Sequence, residues 1–175
     1  MKIPSMLSSL IQFIKKKELF VRIVRLRFGG KKLNNGGRMW PALWTVDFLR
    51  YFKPSEFDSP DLPGSGYEMS YLFMDKLVAI RNCVDRPFII TSGFRTPAHN
   101  KNLLAKGYKA SVDSPHLKGL AADIKILDSA FLYKLLKYCF YFKVKRIGIS
   151  FSGNFCHIDM DESDGKAQEI IWGYE

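Results

Sequence analysis

Ten residues, Ser114-Pro115-His116-Leu117-Lys118-Gly119-Leu120-Ala121-Ala122-Asp123, restrict this chain more than any other stretch. They place a histidine and an aspartate seven positions apart. That separation would bring both to one face of a helix, but a glycine and a run of small residues lie between them. On one continuous strand an odd separation sends the two side chains to opposite faces. A turn carrying His116, a pivot at Gly119 and a buried strand reaching Asp123 satisfy both constraints. Such a turn and strand aim an imidazole and a carboxylate at one point, a pairing that suits zinc. The carboxylate follows the apolar pair Ala121-Ala122 and needs a partner, because an unpaired buried charge is costly. That partner is a metal ion, or else a cation such as Arg95 or a lysine.

Two ligands do not make a site. The chain has three histidines, His99, His116 and His157. His157 lies in Phe155-Cys156-His157-Ile158-Asp159, which reads as a strand, so His157 and Asp159 share a face. A lone histidine on a strand is more often a hydrogen-bonded residue than a ligand, and the weight rests on the combination. His116, Asp123 and His157 supply three protein ligands and leave a position for water, the ligand set of catalytic zinc. A metal held in this way lowers the pKa of its water and polarises a carbonyl.

The surrounding pattern predicts an α+β domain with a small, mostly antiparallel sheet packed against helices. A helix is expected over 70–83, with Leu72, Phe73, Leu77 and Ile80 as its apolar stripe. A short buried strand follows over 87–91. Pro97 suits the first turn of a short helix reaching Ala105. A strand is expected over 120–126, and a second long helix over 129–142 with Asp128 as N-cap. Strands over 145–151 and 154–160 are joined by Ser152-Gly153, and 169–172 reads as a last edge strand.

The net charge of +10 would suggest nucleic acid or a membrane surface, until it is located. Residues 1–53 hold 12 of the 27 Lys and Arg but only 2 of the 17 acids, leaving 15 against 15 in the remainder. The basic character therefore belongs to an N-terminal extension and linker, residues 1–38. Residues 5–28 could form a helix with apolar and basic faces, whose bland and favoured reading is a solvated accessory helix or a weakly structured leader. An anchor to a membrane surface or to nucleic acid is the functional reading, and membrane contact is the one expected. The zinc domain is expected over 39–175, with no nucleic-acid partner and a monomeric state. Cys83, Cys139 and Cys156 are odd in number and far apart, which argues against a disulfide framework or a cysteine zinc finger. No apolar run reaches the roughly 18 residues of a membrane span. The apolar stretch 3–14 has its positive charges mainly after it, opposite to a secretory signal.

Three linked motifs resemble the zinc D-alanyl-D-alanine carboxypeptidase family, which includes VanX and VanY types and phage L-alanyl-D-glutamate endopeptidases. They are Ser92-Gly93-Phe94-Arg95-Thr96-Pro97-Ala98-His99-Asn100, then Ser114 to Asp123, then Gly148-Ile149 with Phe155-Cys156-His157-Ile158-Asp159. Their order and spacing both fit, over about residues 52–173. Lys53 to Ser59 looks like small phage-encoded members. The resemblance implies a D-Ala-D-Ala carboxypeptidase or hedgehog-like fold. It also implies zinc as cofactor on His116, Asp123 and His157, and cleavage of peptidoglycan peptides, as carboxypeptidase or endopeptidase, in phage-type lysis or entry. Arg95 is then expected to bind substrate or stabilise the transition state, since a guanidinium can hold a carboxylate or an oxyanion. Ser114 is expected to bond within the His116 turn or reach the substrate. His99 and Asn100 are expected to brace the loop.

One departure matters. Several family members carry an acid three residues before the last histidine ligand, as general base. Here that position is Asn154, which cannot take a proton. Asp159 is the available carboxylate on the His157 face, either as the catalytic base or as a group that holds His157. A direct role is the one favoured. The alternative reading of the whole chain is a zinc-containing peptidoglycan-binding module with little hydrolytic activity.

Overall fold

Alternation along the strands divides this molecule into a core side and a polar side. The computed structural model describes residues 46–174. Five strands form one sheet: β1 Ile90–Ser92, β2 Ala121–Lys125, β3 Arg146–Ser150, β4 Phe155–Asp159 and β5 Ile170–Gly173. Their spatial order is β1-β2-β4-β3-β5. The first three pairings in that order are antiparallel, and β5 joins β3 in parallel. Among the described residues there are four α-helices: α1 Val46–Tyr51, α2 Tyr71–Val84, α3 Pro97–Ala105 and α4 Ser129–Tyr141. The architecture is the α+β arrangement expected from the sequence. The expected extension and linker and the helix over 5–28 lie outside the described residues.

Residues of one parity point to the core. Ala122 and Ile124 of β2, Cys156 and Ile158 of β4, and Ile147 of β3 are all essentially inaccessible to solvent. They form one apolar cluster with Phe73, Leu77 and Ile80 of α2 and Phe131 and Leu135 of α4. Each of the Ile, Leu and Phe side chains contributes roughly 1.5–3 kcal/mol on burial, which fixes which way the strands face. The other parity carries Asp123, His157, Asp159 and Arg146, so the polar groups are gathered on the opposite face.

The helices follow their caps and stripes. Asp128 accepts the Phe131 N–H at 2.7 Å and starts α4. Pro97 opens α3, and Thr96 Oγ1 accepts the His99 N–H at 3.0 Å. In α2 the buried stripe is Phe73, Leu77, Ile80 and Val84, whereas Leu72 is 68% exposed. Leu72 precedes Phe73 by one position and is turned well away from the seam that the later spacings define.

Two strand boundaries differ from expectation. β1 spans Ile90–Ser92 instead of 87–91, with an irregular ladder to β2 between Ile90 and Ser92, and Lys125 N–H bonds the Ile89 carbonyl just before it. The β3–β4 connection is a four-residue turn, 151–154, closed by Asn154 N–H to the Phe151 carbonyl. Asn154 has φ 54 there, a left-handed conformation that ends pairing and that asparagine tolerates well. No helix among the described residues is long and apolar enough to cross a membrane.

Candidate functional site

The strand register draws one row of residues across the whole sheet. Ser92 of β1 pairs with Asp123 of β2, Asp123 with His157 of β4, His157 with Gly148 of β3, and Gly148 with Trp172 of β5. Asp123 and His157, the second and third members, are candidate metal ligands. The third, His116, comes from outside the sheet, on the 3-10 turn Pro115–Lys118. Gly119 follows it at φ 65, and its N–H bonds the His116 carbonyl. A Cβ at Gly119 would lie 2.3 Å from the Glu68 carbonyl oxygen, so the turn needs glycine for both conformation and space. The expected pivot is therefore present, and Asp123 stands at the centre of β2 because pairing with β4 continues to Lys125.

The three side chains converge. His157 Nδ1 lies 2.7 Å from Asp123 Oδ1. His116 Nε2 lies 3.2 Å from His157 Nδ1 and 3.4 Å from Asp123 Oδ1. Ligands about 2.0 Å from a tetrahedral zinc are separated by about 3.3 Å, so two of the three edges already have the required length. The third needs a shift of roughly half an ångström.

Each ring is oriented from its other nitrogen. His116 Nδ1 donates to the Gly93 carbonyl oxygen at 2.6 Å, leaving Nε2 for a metal. His157 Nε2 donates to Asp159 Oδ2 at 3.0 Å, leaving Nδ1. Such outer partners set the tautomer and the ring plane of metal-binding histidines. Asp159 is itself held by Arg146 Nε at 2.9 Å and by the Asp161 N–H at 2.9 Å. Arg146 faces Asp159 directly across the β3–β4 ladder. Asp159 thus meets His157 on the side of the ring away from the other two ligands, and it is fully buried.

Arg95 lies on the loop after β1 and is tied to the His116 turn by its N–H to the His116 carbonyl at 3.2 Å. Its Nη2 donates to Asp123 Oδ2 at 2.9 Å and its Nε to Ser92 Oγ at 3.0 Å. Of the partners that the sequence left open for Asp123, the cation is Arg95. One carboxylate oxygen meets the guanidinium and the other meets the imidazoles. Ser114 is buried beside the turn, and its carbonyl accepts the Leu117 N–H. Asn100 braces the neighbouring loop through Nδ2 to the Ser111 carbonyl at 2.9 Å. His99 is not part of the metal-ligand group.

Electrostatics sharpen this picture. Burial pushes the His116 pKa down, against the pull of Asp123, so its Nε2 lone pair is present at neutral pH. Burial also opposes protonation of His157, but Asp123 and Asp159 outweigh it and hold the imidazole up to about 9. Burial would raise Asp123, yet the two imidazoles keep it well below the usual carboxylate range. Burial pushes the Cys139 and Cys156 thiols up, so they are inert core residues.

The ligand atoms of His116, Asp123 and His157 all lie within 4.8 Å of one another, and all three residues are buried. The donor set, two neutral-capable imidazoles and one carboxylate with outer partners, fits zinc. These residues open onto a cleft of about 400 Å³ whose walls include Arg95, Ser114, Arg146, Lys166, Trp172 and Tyr174. Of these, Arg146, Lys166, Trp172 and Tyr174 were missed in the sequence. Trp172 packs on His157 with ring centroids 5.6 Å apart. Gly148 makes that possible, since a Cβ there would lie 2.7 Å from the Trp172 ring. The glycine in the third motif was the available signal.

A protein-family model described as Peptidase M15 matches residues 52–159. No curated protein matches the chain.

Proposed function

The chain belongs to the peptidase M15 family, with the whole His116, Asp123 and His157 group inside the matched span, and on that premise we propose that it is a zinc metallopeptidase that hydrolyses peptide bonds in peptidoglycan stem peptides or cross-links. The observation that carries this reading is the triad: three ligand atoms of two rings and a carboxylate, 2.7, 3.2 and 3.4 Å apart, at the floor of a cleft. Bound there, zinc supplies a water that is acidic near neutral pH and a Lewis acid for the scissile carbonyl. The chain's own residues do the rest. Asp159 and the Gly93 carbonyl fix the tautomers that leave Nδ1 of His157 and Nε2 of His116 free to bind metal. Arg95 holds Asp123 in place. A guanidinium carries five donors, and the bonds to Ser92 and Asp123 use two, so Arg95 also has donors for a substrate carbonyl oxygen. Ser114 lines the same cleft and is assigned to substrate binding.

For Asp159 we favour positioning over a direct catalytic role, which reverses the preference drawn from the sequence. What supports this is its set of partners, His157 Nε2, Arg146 and the Asp161 N–H, on the far side of the imidazole. The same observation, with Asn154 exposed in the turn, favours the second reading, a peptidoglycan-binding zinc module with little turnover. The resemblance extends the first reading to phage-type cell-wall lysis or entry. Charge location alone extends it to contact of residues 1–38 with an anionic membrane surface. The test is zinc content and turnover measured together. One zinc per chain and muropeptide cleavage, both lost in His116→Ala, support the peptidase. One zinc per chain with tight muropeptide binding and no cleavage selects the module.

A further inference from the structure

The metal cleft does not end at the triad. A second cavity of about 650 Å³ adjoins it, and the two share Arg95, Lys109, Ala110, Asp123, Phe155 and Tyr174 as walls. Asp123 is thus common to both, while His116 and His157 line the first alone. The first arm runs over β4, β3 and β5, past Arg146 and Trp172. The second runs the other way, between α3 and the 151–154 turn, and reaches Leu103, Tyr108, Glu56 and Ser152. Tyr108 is 63% exposed and forms an open outer wall.

This shape bears on which bond is cut, and so rests on the peptidase reading above. An enzyme that removes one terminal residue needs a short blind pocket and a cation reserved for the chain's terminal carboxylate. Here three of the cations that line the cleft already have acid partners. Arg95 is paired with Asp123, Arg146 with Asp159, and Lys166 with Asp113 and Asp161. The space extends to both sides of the triad. We propose that the protein is an endopeptidase whose substrate chain lies through a two-armed groove, with Tyr108 and Leu103 contacting residues beyond the cleaved bond.

The arms can be tested separately with three substrates. These are a pentapeptide stem ending in D-alanyl-D-alanine, its C-terminal amide, and a cross-linked muropeptide dimer that has chain on both sides of its bridge. The expected result is cleavage of the dimer with kcat/KM at least tenfold above either stem, and no more than a twofold change on amidation. Tyr108→Ala should lower kcat/KM for the dimer several-fold and leave its zinc content unchanged. Binding to chelated protein gives a readout independent of turnover, with the dimer binding more tightly than either stem and losing that advantage in Tyr108→Ala. Release of only the terminal residue, abolished by amidation, overturns the endopeptidase assignment and leaves the peptidase reading intact. Absence of cleavage of all three by zinc-loaded protein overturns both.

Discussion

His157 is gripped from both ends of its ring, by Asp123 at Nδ1 and by Asp159 at Nε2. Two carboxylates hold it protonated up to about pH 9 when no metal is bound. In the metal-free protein this raised pKa stabilises the fold fully below the ordinary value of 6.5, and the contribution is lost as pH rises through about 9. Zinc must displace the Nδ1 proton, so its apparent affinity should increase about tenfold per pH unit between pH 7 and 8.5. Chelator competition across that range measures the slope, and a flat profile would count against a protonated His157. Asp159→Asn separates the two roles of that carboxylate. As a positioning residue its loss should weaken zinc binding about 10–100-fold. Unchanged zinc affinity with abolished turnover would restore Asp159 as the base. The convergence of His116, Asp123 and His157 was legible in the sequence because each sits in a short motif with its own local geometry. The grip of Arg146 on Asp159 was not, because it depends on the register of two strands, and register was not read from the pattern.

At the scale of elements, the His116 turn is the least replaceable piece. Gly119 combines φ 65 with a Cβ position 2.3 Å from a backbone oxygen, and Ser70 N–H bonds its carbonyl at 2.8 Å. Gly119→Ala should therefore cost at least about 1–3 kcal/mol of stability and weaken zinc binding as the turn shifts. Urea unfolding of the chelated protein measures the first effect. A loss below a few tenths would mean that the turn relaxes freely. Lys118, on the same turn, bonds Asp161 at 3.0 Å and Asp113 at 2.8 Å, which ties the turn to the chain just beyond β4. The helices and the core strands were legible from period and caps, Asp128 and Pro97 among them. The hairpin was read two residues too tight, because Asn154 continues the strand pattern in composition while its left-handed backbone ends it. β5 was seen as an edge strand, but its parallel pairing, which brings Trp172 over His157, has no local signature in the sequence.

For the whole molecule, charge is spread unevenly along the sequence. Residues 1–53 carry 12 basic residues against 2 acidic ones, and the remainder balances at 15 and 15. Among the described residues the site carries no such excess. Its cations and acids neutralise one another in pairs around the ligands, and one polar sheet face collects them because the opposite face is committed to the apolar core. Function class was legible from three motifs in order, whereas the length and direction of the groove were not, since its walls come from residues 56 to 174. The most direct measurement is mass spectrometry of purified muropeptides after incubation with the zinc-loaded protein, the exhaustively chelated protein, and the chelated protein with zinc restored. The prediction is products of peptide-bond hydrolysis, each cleavage adding one water, in the first and third samples and none in the second. Equal products in the chelated sample would contradict the account.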